Sequence, residues 1–185
     1  MIGVYNYTVI LTYIGMLTGF SGIITAANGN IKRAVICLIF AGVCDMLDGR
    51  IAATKERTRS EKQFGIQIDS LSDLVSFGIL PAMILYQRST SHMILIPCSL
   101  YVLGALIRLA WYNVDEAERQ DREDGPRCAY CGLPVTFAAV IFPTVIILCA
   151  KFHWPVDWIG SVTLLLTTTA FVTPFRVRKP VPRSR

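Results

Sequence analysis

The sequence predicts an all-α integral membrane fold with six transmembrane helices and both termini cytoplasmic. Three observations carry that expectation. Of 185 residues, 53% are hydrophobic and only 17% charged, against about 25% charged in an ordinary soluble domain. Mean hydropathy is +0.49. The charge that exists is bunched between long apolar runs, each close to the ~20 residues that cross a bilayer.

The first apolar run covers 6–27. No basic segment precedes it and it is long enough to stay as an anchor, so it reads as a span and not as a secretory leader. The second, 31–53, and the third, 64–87, are interrupted near their polar ends by aspartates. The fourth covers 92–114, the fifth 131–152 and the sixth 156–175. Pro134, Pro143 and Pro155 can start or kink the last two helices. Residues 1–175 read as a single membrane domain and 176–185 as a basic, proline-broken tail suited to anionic headgroups.

Six crossings put the N-terminus, the 54–63 loop, the 115–130 loop and the tail on one side. That side carries twelve Lys and Arg residues, against Lys32, Arg33, Arg88 and Lys151 on the other. By the positive-inside rule the richer side is cytoplasmic, which predicts the cell membrane and a site open to the cytosol. The net charge of +5 serves orientation and lipid attraction. With no basic stripe interleaved with aromatics, nucleic acid is not an expected partner. The acidic and basic mixture at 115–124 reads as a solvated helix end.

Six cysteines are present. Cys37, Cys44, Cys98 and Cys149 lie in apolar runs and read as packing residues. Cys128 and Cys131 form a lone CxxC, with His92 and His153 in other loops, which falls short of a zinc pattern.

The chemistry concentrates in four aspartates within 29 positions, Asp45, Asp48, Asp69 and Asp73. A carboxylate at hydrocarbon depth costs roughly 2.5–3.5 kcal/mol on insertion scales. On helices, Asp45 and Asp48 share one face, and Asp69 and Asp73 share another. A short polar loop makes the two helices antiparallel neighbours, so the four carboxylates converge. Divalent cations relieve their repulsion, and an all-oxygen set without His or Cys favours Mg²⁺, Mn²⁺ or Ca²⁺. Gly49, Ala52 and Gly65 leave space beside the carboxylates, either for a ligand such as a nucleotide or for close helix packing. A divalent site at a membrane interface suits phosphoryl transfer. An ion pathway would place its carboxylates near the midplane.

These residues resemble the CDP-alcohol phosphotransferases. Asp45, Asp48, Gly49, Ala52, Gly65, Asp69 and Asp73 match that family's pattern in order. Within the family the chain is similar to the phosphatidylserine synthases, through the stretches Asp69–Gly78, Pro81-Ala82, Ile107–Val114 and Gly132–Thr136. The likeness covers roughly 6–170. Two positions depart: Ala53 stands where the pattern has arginine, and the spacer before Gly65 is longer than is common. Arg50, Lys55 or Arg57 are candidates to supply the missing charge.

The resemblance implies a six-helix fold and a homodimer. It implies two divalent ions, Mg²⁺ or Mn²⁺, held by Asp45, Asp48 and Asp69, with Asp73 a ligand in part and the general base. Gly49, Ala52 and Gly65 would line the CDP pocket. The implied partners are CDP-diacylglycerol, L-serine and membrane lipid, and the implied products phosphatidylserine and CMP. Arg108 and Arg127 are candidates for holding the serine carboxylate, and Ser76 and Asn113 for lesser substrate contacts. Two other readings are open: a sibling transferase using glycerol 3-phosphate or inositol phosphate, and a non-enzymatic cation-binding membrane protein.

Overall fold

A computed structural model of the chain describes residues 3–5, 7–52, 54, 58–122, 129–174 and 176–178. These are nearly all helical. Helix α1 spans Tyr7–Ala27 and α2 Ile31–Ala52. Between them the chain reverses through Asn28, Gly29 and Asn30, whose amides return to carbonyls of the last turn of α1.

Helix α3 spans Arg59–Asp73, starting five residues before the apolar run that was expected to begin the third span. The reason is a capping box. Glu61 donates its backbone amide to Thr58 Oγ1 at 3.2 Å, and the Thr58 amide donates to Glu61 Oε2 at 2.9 Å. This satisfies two of the donors a helix start leaves open, so a polar first turn is stable where hydropathy shows nothing.

From α3 the chain runs without a break through a π-helical turn, Leu74–Ile79, into α4, Leu80–Arg88. The wide turn follows from Pro81. Proline has no amide hydrogen, so the Phe77 carbonyl loses its usual donor four residues on. Leu80 bonds five residues back to Val75. The hydroxyl of Tyr101, fully buried, donates to the Phe77 oxygen at 2.6 Å.

A short 3₁₀ turn, His92–Ile94, leads into α5, Leu95–Arg122. This helix runs well past the expected end at 114, because its charged C-terminal part continues as helix beyond the apolar stretch. The fifth expected span, 131–152, is divided. Strand β1, Ala129–Cys131, is followed by Gly132 at φ +78°, a 3₁₀ turn at Val135–Phe137, and α6, Ala138–Phe152. A left-handed glycine and Pro134 delay the helix. Helix α7 spans Val156–Val172. The tail then begins as a strand, not as a free anchor: β2, Arg176–Arg178, pairs antiparallel with β1, Ala129 opposite Arg178 and Cys131 opposite Arg176.

Among the described residues, four helical stretches are long and apolar enough to cross a bilayer: Tyr7–Ala27, Arg59–Arg88, His92–Glu118 and Val135–Phe152; Val156–Val172 is a shorter apolar helix. Large apolar side chains such as Leu17, Phe20, Ile36, Trp111, Val140 and Leu166 face outward, as expected where lipid and not water is the surrounding solvent. Together these make the chain an integral membrane protein.

Inside, α1 lies close against α2 and the π turn. A Cβ at Gly19 would come within 2.2 Å of Ser76 Oγ and 3.0 Å of its Cα, and one at Gly22 within 2.9 Å of Cys37 Cβ. Small residues allow this backbone approach. Beneath lies an apolar core of Leu38, Phe77, Leu80, Ile84, Leu85, Tyr101 and Phe142, with the Tyr101 and Phe142 rings edge to face at 5.1 Å. Cys44, Cys98 and Cys149 are buried free thiols in that packing, and Cys37 is a half-buried one.

Candidate active site

The capping box and the π turn fix the two ends of α3, and Asp69 and Asp73 stand on its last turn. Asp45 and Asp48 stand near the end of α2. Carboxylate oxygens of Asp45, Asp48 and Asp69 all lie within 4.8 Å of one another. Asp45 is in side-chain contact with Asp73, and Asp48 with Asp69. Helix α1 adds a residue: Thr12 donates its hydroxyl to Asp48 Oδ2 at 3.2 Å. The Thr12 carbonyl in turn accepts from Ser72 Oγ at 3.4 Å, which ties α1 to α3 beside the cluster.

Two cavities meet at this cluster. The first, about 290 Å³, is lined by Gly49, Ala52 and Gly65 together with Asp48, Asp69, Lys62 and Tyr112. The second, about 360 Å³, is lined by Asp45, Asp69, Asp73, Arg108, Tyr112 and the 134–137 segment. Of these two, Asp48 lines the first and Asp73 the second, whereas Asp69 and Tyr112 border both; all four aspartates also line a small void between α1, α2 and α3. A group spanning the two cavities would therefore lie across the carboxylates.

Arg108 is 7% exposed. Its Nε donates to the Leu133 carbonyl at 3.2 Å, which sets the guanidinium at the wall of the second cavity. Gly49 has open space where a side chain would begin, with nothing within 4 Å. This separates it from Gly19 and Gly22, whose missing side chains serve packing.

Other sequence candidates fall elsewhere. Ser76 is buried and donates to the Gly15 carbonyl at 3.5 Å, a helix-packing contact at the edge of the cluster. Asn113 is turned to α3: it accepts from Ser70 Oγ at 2.7 Å and donates to Gln67 Oε1 at 3.2 Å. It lines neither of the two cavities. Arg127, Ala53, Lys55 and Arg57 lie outside the described residues, and Arg50 is exposed. The sequence did not point to Thr12, Tyr112, Lys62 or Glu116 as residues of the candidate site; Glu116, expected on a solvated helix end, is buried and lines the first cavity. Thr12 is one of several hydroxyl residues on α1, with Thr8, Thr18, Ser21 and Thr25, so nothing in the sequence singled it out. Lys62 read as one more loop charge.

The donor set is all oxygen, compact, and oriented by a hydroxyl from behind, which suits a hard divalent cation. Fold and site together define an integral membrane protein with an acidic, all-oxygen centre between two cavities. Residues 5–173 match the family model described as CDP-alcohol phosphatidyltransferase, and the chain belongs to that family.

Among curated relatives, it is 36% identical over 146 residues to a CDP-diacylglycerol–serine O-phosphatidyltransferase of Saccharomyces cerevisiae, covering 70% of this chain and 51% of the relative. It is 28% identical over 179 residues to the protein of that name from Mycobacterium tuberculosis, covering 91% and 59%. With an archaetidylserine synthase of Methanothermobacter thermautotrophicus it shares 29% over 133 residues, covering 71% and 53%. The chain thus spans between 51% and 59% of the length of these three relatives.

Proposed function

We propose that the chain transfers a phosphatidyl group from CDP-diacylglycerol to the hydroxyl of L-serine, giving phosphatidylserine and CMP. The observation that carries this is the division of the carboxylates between two cavities, one walled by small residues and one by Arg108. The names of the relatives support the same acceptor.

In this reading Gly49, Ala52 and Gly65 leave room for the cytidine diphosphate, in a cavity that Lys62 and the buried Glu116 also line. Asp45, Asp48 and Asp69 hold divalent ions, Mg²⁺ or Mn²⁺, which when bound neutralise the pyrophosphate charge. Arg108 receives the serine carboxylate in the second cavity. Asp73 accepts the proton of the serine hydroxyl. The serine oxygen forms a bond to the lipid-bearing phosphorus, the bond from that phosphorus to the bridging oxygen breaks, and CMP leaves with that oxygen.

The topology we propose has six crossings, α2 and α7 included, with both termini and the site facing the cytosol at the cell membrane. The β1–β2 pair supports this, because it joins the α5–α6 connection to the start of the tail on one side. The domain ends near residue 175, and the working unit is a homodimer, as the family resemblance implies.

Arg108 is the one cationic side chain along the second cavity among the described residues. That favours a carboxylate-bearing alcohol over a phosphate-bearing one, which calls for more positive charge. The test is CMP release by purified protein with CDP-diacylglycerol, Mg²⁺ or Mn²⁺, and a panel of alcohols. Serine-dependent CMP is expected. Release driven by glycerol 3-phosphate or inositol phosphate instead assigns a sibling reaction. Metal binding with no CMP from any alcohol assigns a cation-binding protein.

A further inference from the structure

Leu133 is held from both sides. Its amide donates to the Ala170 carbonyl at 3.3 Å, near the C-terminal end of α7, and its own carbonyl accepts Arg108 Nε at 3.2 Å. The residue before it, Gly132, sits at φ +78°, where a side chain is strained. A Cβ there would stand 3.3 Å from the carbonyl oxygens of both Phe171 and Thr173, and 3.6 Å from Arg108 Nε. The end of α7, the 132–133 backbone and the guanidinium therefore form one continuous stack. Pro134 to Phe137, directly after it, form part of the wall of the second cavity.

We propose that Gly132 and Leu133 are positioning residues that couple the end of α7 to Arg108, so that α7 sets where the guanidinium meets the acceptor. This rests on the reading of the second cavity as the acceptor site. The Leu133 carbonyl fixes the Nε edge of a rigid, planar fork, so a shift of the carbonyl turns the whole guanidinium. That carbonyl is itself fixed by a helix end, through a left-handed peptide where a Cβ would crowd two carbonyl oxygens. Neither Gly132 nor Leu133 lines the cavity, so their effect passes through Arg108.

The experiment compares G132A, R108A and the double variant as purified full-length protein. In G132A the KM for serine should rise about tenfold, the change expected when a hydrogen-bonded charge is misaimed. The KM for CDP-diacylglycerol and kcat at saturating serine should stay near wild type. Adding G132A to R108A should bring no further rise, since residues acting through one contact are not additive. Equal increases in both KM values, or a G132A effect that persists in the R108A background, would overturn the proposal. If G132A does not accumulate, G132N admits the left-handed backbone and still adds the crowding Cβ.

A second readout needs no substrate. Amide hydrogen exchange over 132–137 should quicken in both G132A and R108A, while α1 and α2 stay protected. If wild-type protein releases no CMP with serine, the acceptor reading falls on its own. The link is then decided by exchange: quickened exchange supports it, and unchanged exchange in both variants overturns it.

Discussion

The Tyr101 hydroxyl on α5 and the Phe77 carbonyl in the π turn are joined at 2.6 Å, one turn beyond Asp73. Pro81 removes the backbone donor that Phe77 would otherwise have, and a side chain from another helix replaces it. The wide turn is thus held by a tertiary contact just where α3 delivers Asp73 to the cluster. Tyr101→Phe keeps the ring packing and strands the carbonyl in an apolar setting. We expect a loss of about 1–3 kcal/mol, the cost of a buried unpaired acceptor, seen as a lower midpoint of thermal unfolding in detergent. An unchanged midpoint argues that water or another donor reaches Phe77.

Gly19 and Gly49 should respond in opposite ways to alanine. At Gly19 the new methyl group meets the Ser76 backbone at 3.0 Å, and overpacking of this kind costs about 1–3 kcal/mol. At Gly49 it meets nothing within 4 Å, so folding should be unaffected. Gly49 lines the proposed CDP cavity, so Gly49→Ala should raise the KM for CDP-diacylglycerol several-fold at wild-type stability. Thermal melts beside initial rates check the pair; equal destabilisation by both would contradict the assignment.

The carboxylates should separate by role. Asp69→Asn removes a member of the three-carboxylate group and should weaken Mn²⁺ binding by calorimetry, along with CMP release. Asp73→Asn should leave Mn²⁺ binding largely intact and lower CMP release by about 10²–10⁴-fold, the range of general-base contributions. Chelation of wild-type protein should abolish release, and added Mg²⁺ or Mn²⁺ should restore it. Retained turnover in Asp73→Asn removes it as the base.

Thr12 acts on Asp48 from α1, and Thr12→Val preserves shape while deleting the hydroxyl. Partners behind metal ligands are typically worth about 10–100-fold in metal affinity or activity. We expect a rise in the Mn²⁺ concentration needed for half-maximal CMP release, with little change in the serine KM. A shift in serine KM alone would place Thr12 on the acceptor side instead.

The acidic cluster of the candidate site is legible in the sequence. Asp45 and Asp48 at one helical spacing, and Asp69 and Asp73 at another, specify two acidic faces from the helical period alone. Their convergence followed from the short polar loop between them. Gly49 and Gly19 look alike in the sequence, yet one borders open space and the other a backbone contact. Ser76 stands beside the aspartates in sequence and Asn113 in the stretch 107–114, but both turn to neighbouring helices. The start of α3 at Arg59 carries its own signal, the capping box Thr58-x-x-Glu61, which hydropathy alone passes over, and Lys62 with it.

By itself the sequence determined the membrane character, the acidic set and the cation chemistry it suits, because apolar length, helical period and ligand type are local properties. It did not determine that Asp48 faces one cavity and Asp73 another, that Thr12 supports the cluster from α1, or that Leu133 holds Arg108. Those relationships join residues 25 to 60 positions apart. They depend on how closely helices approach and how they are rotated, which packing of the whole bundle decides.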